Sequence, residues 1–264
     1  MLEEIIAYKR AEVEKAHCLL PQRELEDKVR NLGPTKDFKA ALKQDCVALI
    51  AEVKFKSPSK GIINKNVTLA EAVASYREAA AEAISVVTDQ RYFGGSGRNL
   101  REARKLTEQP LLRKDFIVDV YQIYESRLLG ADAVLLLSRV LSGETLKEYI
   151  ATAEELGLAA LVECRNREEI DRALSAGATV IGINNRDLST FEVNLDTTFR
   201  LVEDLRDDHL VVVSESGISR RRQVELLASC GLDAVLVGEA LMSASTIGEK
   251  ALSLRGVPCR REKP

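Results

Sequence analysis

Short apolar runs alternate with longer amphipathic segments over most of this chain. The runs are four to eight residues long, rich in Val, Ile, Leu and Ala, and bounded by turn residues, which is typical of buried parallel strands. They cover residues 47–54, 84–88, 111–114, 133–137, 159–163, 180–183, 210–214 and 234–237. We therefore predict eight strands that are buried on both faces.

The segments between these runs have the apolar spacing of helices. They cover residues 69–82, 99–108, 120–129, 144–156, 167–176, 196–205, 220–229 and about 241–252. Gly130, Gly157, Gly177 and Gly231 follow four of them, as expected where a left-handed residue ends a helix. The alternation predicts an α/β fold, a single (β/α)8 TIM barrel. A doubly wound open sheet is the alternative, but no G-x-G-x-x-G follows the first strand.

The first 45 residues lie outside this alternation. Residues 2–15 are charged with spaced apolar positions, which predicts an amphipathic helix, and residues 21–34 are a mixed stretch. Residues 37–43 suit a second short helix with Thr35 as its N-cap. We expect residues 1–45 to form a helical extension packed on the barrel, residues 46–255 the catalytic barrel, and residues 256–264 a tail.

Composition narrows the class of protein. The chain has 264 residues and a formal net charge of −3, so nothing global favours nucleic acid as a partner. It has no apolar stretch long enough for a bilayer and opens without a signal-peptide pattern, so we expect a cytoplasmic protein without a membrane partner. The five cysteines are scattered and are expected to be free thiols. With only His17 and His209 present, a histidine-based zinc site or a Ser-His-Asp triad is disfavoured.

Polar residues stand where nearly every predicted strand ends. They are Glu52, Lys54, Thr88-Asp89, Arg113-Lys114-Asp115-Phe116, Leu137-Ser138, Glu163, Asn184-Asn185-Arg186, Ser214-Glu215-Ser216-Gly217 and Gly238-Glu239, with Phe93-Gly-Gly-Ser96 in the second loop. In a TIM barrel these ends meet at one rim, where active sites lie. Glu52 and Lys54 also share one face of the first strand, because strand side chains alternate. We therefore predict a functional rim.

Two groups on this rim predict specific chemistry. The loops at residues 214–218 and 237–242 contain Gly217 and Gly238, which allow backbone N–H groups to approach an anion. These loops follow the seventh and eighth strands, where TIM barrels bind phosphate. Lysines and glutamates gathered at the mouth would perturb one another's pKa and supply proton donors and acceptors. A lysine there could protonate a carbonyl, form a Schiff base or hold a carboxylate, and the residue pattern does not choose among these.

Ordered blocks along the whole chain resemble indole-3-glycerol phosphate synthase. They are Ile50-Ala-Glu-Val-Lys with Ser57-Pro-Ser-Lys-Gly61, Ser85-Val-Val-Thr-Asp89 with Phe93-Gly-Gly-Ser96, Leu112-Arg-Lys-Asp-Phe116 with Tyr121-Gln-Ile123, Leu161-Val-Glu163, Ile181-Gly-Ile-Asn-Asn-Arg186 with Leu188 and Thr190-Phe191, Val213-Ser-Glu-Ser-Gly-Ile218, and Val237-Gly-Glu-Ala-Leu-Met242. The resemblance includes the extension that this family has ahead of its barrel. Phe55-Lys56 departs from the family, which more often has a basic and then a small residue there.

This resemblance implies a lyase of tryptophan biosynthesis that needs no cofactor and no metal. Its substrate would be 1-(2-carboxyphenylamino)-1-deoxyribulose 5-phosphate, and its products indole-3-glycerol phosphate, carbon dioxide and water. The implied partner is this phosphorylated small molecule, with no nucleic acid and no membrane, and the implied assembly is a monomer or weak homo-oligomer.

The resemblance also implies a role for each matching residue. Lys114 looks like the principal general acid, Glu163 like the second acid/base group in the dehydration, Glu52 like a support for proton transfer, and Lys54 like a bridge between phosphate and substrate. The other implied substrate contacts are Ser57, Phe93, Phe116, Leu135, Asn184, Arg186, Leu188 and Glu215, and the implied phosphate contacts are Lys54, Ser216, Gly217, Gly238 and Glu239.

Three alternatives share some of these residues. Phosphoribosylanthranilate isomerase or the tryptophan synthase α-subunit would share the last two loops but would not require the Glu-x-Lys, Arg-Lys-Asp-Phe and Asn-Asn-Arg blocks together. A Schiff-base aldolase acting through Lys114 is a different reaction class, which borohydride trapping would detect. A non-catalytic, phosphate-sensing barrel could keep the two glycines but would have little reason to keep Lys114, Glu163 and Glu52.

Overall fold

A computed structural model describes residues 1–187, 190, 192–205 and 207–259. Within these residues, eight parallel strands close into a barrel in the order β1-β8-β7-β6-β5-β4-β3-β2. The strands are β1 Ala48–Val53, β2 Ala83–Val87, β3 Leu111–Lys114, β4 Ala133–Leu137, β5 Ala159–Cys164, β6 Val180–Asn184, β7 Val211–Glu215 and β8 Ala234–Val237. The predicted TIM barrel is therefore confirmed. A two-stranded hairpin, Lys56–Ser57 with Gly61–Ile62, follows β1.

Helices precede the barrel and alternate with its strands. The three that precede it are α1 Leu2–Leu19, α2 Gln22–Val29 and α3 Phe38–Leu42. The others are α4 Leu69–Glu78, α5 Gly97–Leu106, α6 Tyr121–Leu128, α7 Gly143–Glu155, α8 Arg167–Ser175, α9 Asp196–Val202, α10 Arg221–Ala228, α11 Glu239–Met242 and α12 Ile247–Leu254. Gly130, Gly157, Gly177 and Gly231 all have positive φ, so the predicted left-handed residues after the helices are confirmed.

Alternation along the strands divides the core into two layers. Side chains that point inwards, such as Ile50, Leu112 and Val213, fill the barrel, while their neighbours pack beneath the surrounding helices. Phe38 and Leu42 of α3 belong to the inner layer and pack against the start of the barrel. With this end filled by side chains, the cavity described below lies at the carboxyl ends of the strands.

In the extension, one local prediction was wrong and one helix was not predicted. Thr35 does not cap α3: its hydroxyl donates to the carbonyl of Gly157, and Asp37 caps the helix by accepting from Ala40 N at 2.8 Å. The mixed stretch at residues 21–34 contains α2, whose Leu25 and Val29 are buried in a small cluster with Tyr121 of the barrel. Since α2 is only eight residues long and strongly polar, its helical form depends on this contact.

The described part of the tail pairs with the segment that leads into β1. Cys46 forms an antiparallel bridge with Pro258, and Cys259 N donates to Asp45 O at 2.9 Å. Residues 260–264 of the expected tail lie outside the described residues.

Asp132, at the amino end of β4, joins three parts of the chain. Its carboxylate accepts from Lys36 N at 2.7 Å and Leu111 N at 2.8 Å, and pairs with Arg104 at 2.7 Å. The side chain is buried and lies on the barrel face opposite the cavity, where residues contribute to stability rather than catalysis.

We therefore expect Asp132→Ala to lower the free energy of unfolding by about 3 kcal/mol, because it leaves two N–H donors and a guanidinium without their acceptor. Denaturant unfolding measures this loss. Asp27→Ala removes an exposed partner of Arg30 and should cost at most about 1 kcal/mol. Equal losses for the two variants would contradict the role of Asp132.

Candidate active site

A cavity of about 330 Å³ opens at the carboxyl ends of the barrel strands. Most of the residues predicted for the site line it: Glu52, Lys54, Phe93, Lys114, Phe116, Leu135, Glu163, Asn184, Arg186, Glu215, Ser216, Gly217, Gly238 and Glu239. Ser57 is not among the lining residues, and its hydroxyl accepts from Lys60 N at 3.2 Å within the hairpin. Leu188 lies outside the described residues.

The strands bring the charged residues together. Glu52 is on β1, Lys114 ends β3, Glu163 is on β5 and Glu215 ends β7. These are alternate strands of the barrel, and the inward side chains of alternate strands lie at the same level. Residues far apart in sequence therefore meet at one height in the mouth.

Lys114 lies between two carboxylates. Its Nζ is 2.9 Å from Glu215 Oε2 and 3.1 Å from Glu163 Oε2, and both glutamate side chains are at most 5% exposed. Burial lowers the pKa of Lys114, but Glu215, Glu163 and Glu52 together outweigh it and raise the pKa well above the usual value for lysine. The amine is therefore held as an ammonium.

The carboxylates near Lys114 differ from one another. Burial raises the pKa of Glu215 to about 7, with a further increase from Glu163, although Lys114 opposes the shift. Burial also raises the pKa of Glu52, but Lys54 and Lys114 outweigh it and lower that pKa below its ordinary value. Lys54 Nζ is 2.7 Å from Glu52 Oε1. The site therefore contains a carboxylate that stays ionised and a carboxyl that titrates near neutral pH.

Two strand-associated glycines make room for these carboxylates. A Cβ on Gly182 of β6 would overlap Glu215 Oε1, and a Cβ on Gly238, which follows β8, would overlap Glu52 Oε1. Gly238 has φ −121°, which other residues also adopt, so the close approach of Glu52 is what requires glycine there. The sequence pattern gave Gly238 a role in anion binding only and did not single out Gly182.

One wall of the cavity is apolar. Phe93 and Phe116 stand with ring centroids 6.0 Å apart and an interplanar angle of 39°, and Leu135 lies on the same lining. The structure adds Val193 and Leu236, which the sequence analysis missed. The alternation of β8 contains a signal for Leu236, because Ala234 two residues earlier also faces the barrel interior. Val193 is in a loop and has no such signal.

The loop after β7 turns through two left-handed residues. Ser216 has φ 68° and Gly217 has φ 81°, and positive φ is uncommon for a residue other than glycine. Consecutive turned peptides of this kind present backbone N–H groups to an anion. Across the mouth, the carboxylate of Glu239 pairs with Lys60 at 2.7 Å and lies 3.7 Å from Arg186.

Some polar rim residues do not face the cavity. Arg113 points away from Lys114 and is buried among Thr88, Asp115 and Glu125, which it contacts at 3.1, 3.2 and 2.7 Å. Asn185 is also buried, and its Nδ2 donates to Ser214 Oγ at 3.0 Å and to the carbonyls of residues 215 and 216. These two side chains hold strand ends in place.

Known proteins resemble this chain over nearly its whole length. A family model described as indole-3-glycerol phosphate synthase matches residues 2–254. A protein of that name from Alkaliphilus metalliredigens is 44% identical over 260 residues, which are 98% of this chain and 99% of the relative. Another from Caldanaerobacter subterraneus subsp. tengcongensis is 47% identical over 242 residues, covering 92% of this chain and 93% of the relative.

The chain belongs to the indole-3-glycerol phosphate synthase family. Solved structures outside the family share its fold alone. The 3-hexulose-6-phosphate synthase of Salmonella typhimurium has a TM-score of 0.62 at 18% identity and covers 79% of this chain and 96% of its own. A mutant tryptophan synthase α-subunit of Pyrococcus furiosus has a TM-score of 0.60 at 17% identity, with coverage of 78% and 97%.

In the part of this synthase-family chain that the structure describes, no helix has the length and apolar character needed to cross a membrane. The same residues contain no group of three or more His, Cys, Asp and Glu side chains placed to hold a metal ion.

We expect Gly182→Ala to lower the free energy of unfolding by about 1–3 kcal/mol, because the added methyl group overlaps the Glu215 carboxylate. Gly143→Ala is the matched control, since its Cβ would meet Arg172 at an ordinary 3.8 Å. A crystal structure of Gly182→Ala should show Glu215 displaced from Lys114. An unmoved Glu215 would show that the glycine is not needed for it.

The raised pKa of Glu215 predicts a pH dependence of stability. Folding raises the pKa of Glu215 from 4.5 to about 7. The stability that protonated Glu215 contributes to the folded protein is therefore fully present below the unfolded pKa and is lost as pH rises through about 7. Glu215→Gln does not titrate there. Wild type loses this stability between about pH 5 and about pH 8, whereas Glu215→Gln does not, so the free energy of unfolding of the variant minus that of wild type should increase over this range.

Chemical denaturation at the two pH values measures this difference. Glu148→Gln, an exposed change on α7, is the control. A Glu215→Gln difference that stays constant with pH would contradict the raised pKa.

Proposed function

We propose that this protein converts 1-(2-carboxyphenylamino)-1-deoxyribulose 5-phosphate into indole-3-glycerol phosphate, carbon dioxide and water. Family membership supports the reaction, and one observation supports its location. This observation is the Lys114 ammonium, which is held by Glu163 and Glu215 in a cavity with an aromatic wall. Such an arrangement combines a proton donor, proton acceptors and a place for an aryl ring.

Ring closure requires a proton donor. The aryl carbon that bears the carboxylate attacks the ketone carbon, and the ketone oxygen gains negative charge that a proton must neutralise. The Lys114 ammonium is the group we assign to this oxygen. Its proton becomes easier to transfer once Glu215 is protonated, because the Glu215 charge is the largest carboxylate contribution to the raised pKa of Lys114.

Decarboxylation then restores the aromatic ring, because the electron pair of the breaking C–C bond returns to it. The apolar wall of Phe93, Phe116 and Leu135 would favour this step by replacing water around the carboxylate.

Dehydration needs both an acid and a base. The hydroxyl group leaves as water after accepting a proton, and the neighbouring methylene carbon loses a proton as the indole double bond forms. We assign Glu163 to this step, with Glu52 supporting the proton transfer. Glu163 and Glu52 are each within ion-pair distance of a lysine, at 3.1 Å from Lys114 and 2.7 Å from Lys54 respectively. Protons can therefore pass between an amine and a carboxylate on either side of the substrate.

The state of Lys114 favours acid catalysis over a Schiff base. A Schiff base begins with attack by a neutral amine, and the surrounding carboxylates raise the pKa of Lys114 and keep it protonated. An ammonium can donate a proton but has no lone pair for attack.

The remaining contacts follow from charge and shape. The aryl ring would lie against Phe93, Phe116 and Leu135, with Asn184 and Arg186 on its carboxylate side. The phosphate would lie near Lys54 and the backbone of Ser216, Gly217, Gly238 and Glu239, where the left-handed turn presents N–H groups. Glu215 would contribute as an acidic neighbour of Lys114. Ser57 near the carboxylate and Leu188 near the ring stay predictions from the resemblance.

We further propose a cytoplasmic enzyme that acts as a monomer or weak homo-oligomer, without nucleic acid or membrane partners. The net charge of −3 gives no general attraction for a polyanion such as nucleic acid.

The purified protein, without added metal, should form a fluorescent indole product from the carboxyphenylamino substrate. Lys114→Ala should reduce turnover by about 10²–10⁴-fold or more, because it removes the general acid. Lys147→Ala, an exposed change on α7, should behave as wild type. Folding of Lys114→Ala is checked by circular dichroism, and a folded variant with near wild-type turnover would refute the assignment.

A further inference from the structure

Lys9 of α1 is a buried lysine outside the catalytic cluster. Its side chain is 3% exposed, and its ammonium lies 2.9 Å from Asp115, 3.1 Å from Asp89 and 2.6 Å from Glu12. Burial lowers the pKa of Lys9, but Asp115, Glu12 and Asp89 together raise it above the usual value, so the group stays charged. A buried charge is costly unless it is paired, which ties α1 to these carboxylates.

Asp89 and Asp115 each hold a loop that carries an aromatic ring of the cavity. Asp89 Oδ1 accepts from Phe93 N at 3.2 Å, and Asp115 Oδ1 accepts from Phe116 N at 2.8 Å. A single aspartate therefore connects Lys9 to each phenylalanine: Asp89 to Phe93 and Asp115 to Phe116. Because the two rings lie 6.0 Å apart and pack on one wall, their separation depends on how the two loops are held.

Other side chains of α1 contact the same loop. The Tyr8 and Tyr92 rings meet edge to face at 6.1 Å, Arg91 lies 4.5 Å from the centre of the Tyr8 ring, and the Tyr92 hydroxyl donates to Glu4 at 3.2 Å. Glu4 and Tyr8 are four residues apart and share the helix face next to Lys9. These contacts keep α1 in register with the loop but are more exposed than the Lys9 pairs.

The two aspartates depend on Lys9 to different degrees. Asp115 also pairs with Arg113 at 3.2 Å, so it keeps a cation if Lys9 is removed. Asp89 is 1% exposed, and Lys9 is the cation that it contacts in this cluster. Without Lys9, the charge of Asp89 is left in a buried site, and the loop with Phe93 has to move to bring that charge to water.

We propose that Lys9 is a positioning residue for binding the aryl part of the substrate: it neutralises Asp89 and Asp115 together and so fixes the distance between Phe93 and Phe116. This inference depends on the proposed function, which assigns the aromatic wall to the aryl ring. Lys9 of α1 would then affect binding of the aryl part of the substrate and not binding of the phosphate. Within the described residues, the ion pairs of Lys9 go to Glu12, Asp89 and Asp115 and not to the phosphate loops after β7 and β8, so we expect those loops to stay unchanged.

Steady-state kinetics with two ligands tests this selectivity. The full carboxyphenylamino substrate uses the aromatic wall, whereas ribulose 5-phosphate, used as a competitive inhibitor, has the phosphate but no aryl ring. In Lys9→Met, the KM of the full substrate should rise by between about tenfold and 10²-fold, as expected for a displaced binding wall. The inhibition constant of ribulose 5-phosphate should stay close to that of wild type.

Matched variants separate this effect from a general loss of stability. Lys15→Met changes an exposed lysine of the same helix and should leave both constants unchanged. Lys9→Arg keeps the charge and should give a KM nearer to wild type than Lys9→Met. Asp89→Asn removes the buried charge but keeps the oxygen that accepts from Phe93 N, and it decides the question if Lys9→Met does not fold. It should raise the KM of the full substrate selectively, because Lys9 no longer attracts that loop.

The outcomes distinguish this inference from the proposed function. If wild type fails to convert the full substrate, the proposed function is wrong. If wild type is active and the folded variants change both constants equally, or neither, Lys9 serves stability alone and the inference is overturned.

Discussion

The ammonium of Lys114, held between two buried carboxylates, sets the requirements for the rest of the structure. The Lys114 pairs with Glu163 and Glu215 are stable only because the strands that carry them deliver all three groups to one level of the barrel. Removing such charges from water is expensive, so the surroundings have to compensate for it. Asn185 secures the strand end next to Glu215, and Gly182 leaves the space that the Glu215 carboxylate occupies.

Strand β3 shows how the alternation of side chains along a strand gives two neighbouring cations different surroundings. Arg113 and Lys114 are adjacent in sequence, yet Arg113 points away from the cavity and binds Asp115 and Glu125, while Lys114 points into the mouth. Arg113 stabilises the loop after β3 by pairing with Asp115 and Glu125, and its own side chain does not line the cavity. A cation for structure and a cation for chemistry are thus placed one residue apart without competing for the same carboxylates.

Features with a periodic signal could be predicted from the sequence. The barrel, its glycine-ended helices and the inward Glu52 and Lys54 all follow from strand and helix periods. The pairing of Lys9 and the helix α2 could not be predicted, because both depend on contacts between residues far apart in sequence. Lys9 has the appearance of an ordinary helix-surface lysine until the barrel loops bring Asp89 and Asp115 against it. In the same way, the short polar helix α2 is stabilised by its contact with the barrel, which no local propensity reports.

The close contacts of Glu215 with Gly182 and of Glu52 with Gly238 limit how these positions can change in evolution. Gly182 and Glu215 fill one volume together, as do Gly238 and Glu52, so neither member of a pair can grow while the other keeps its size. Each pair should therefore behave as one inherited unit. A descendant that shortened or lost Glu215 would release Gly182 to become alanine, and the arrival of a side chain at that position would mark the loss of the carboxylate chemistry in a lineage.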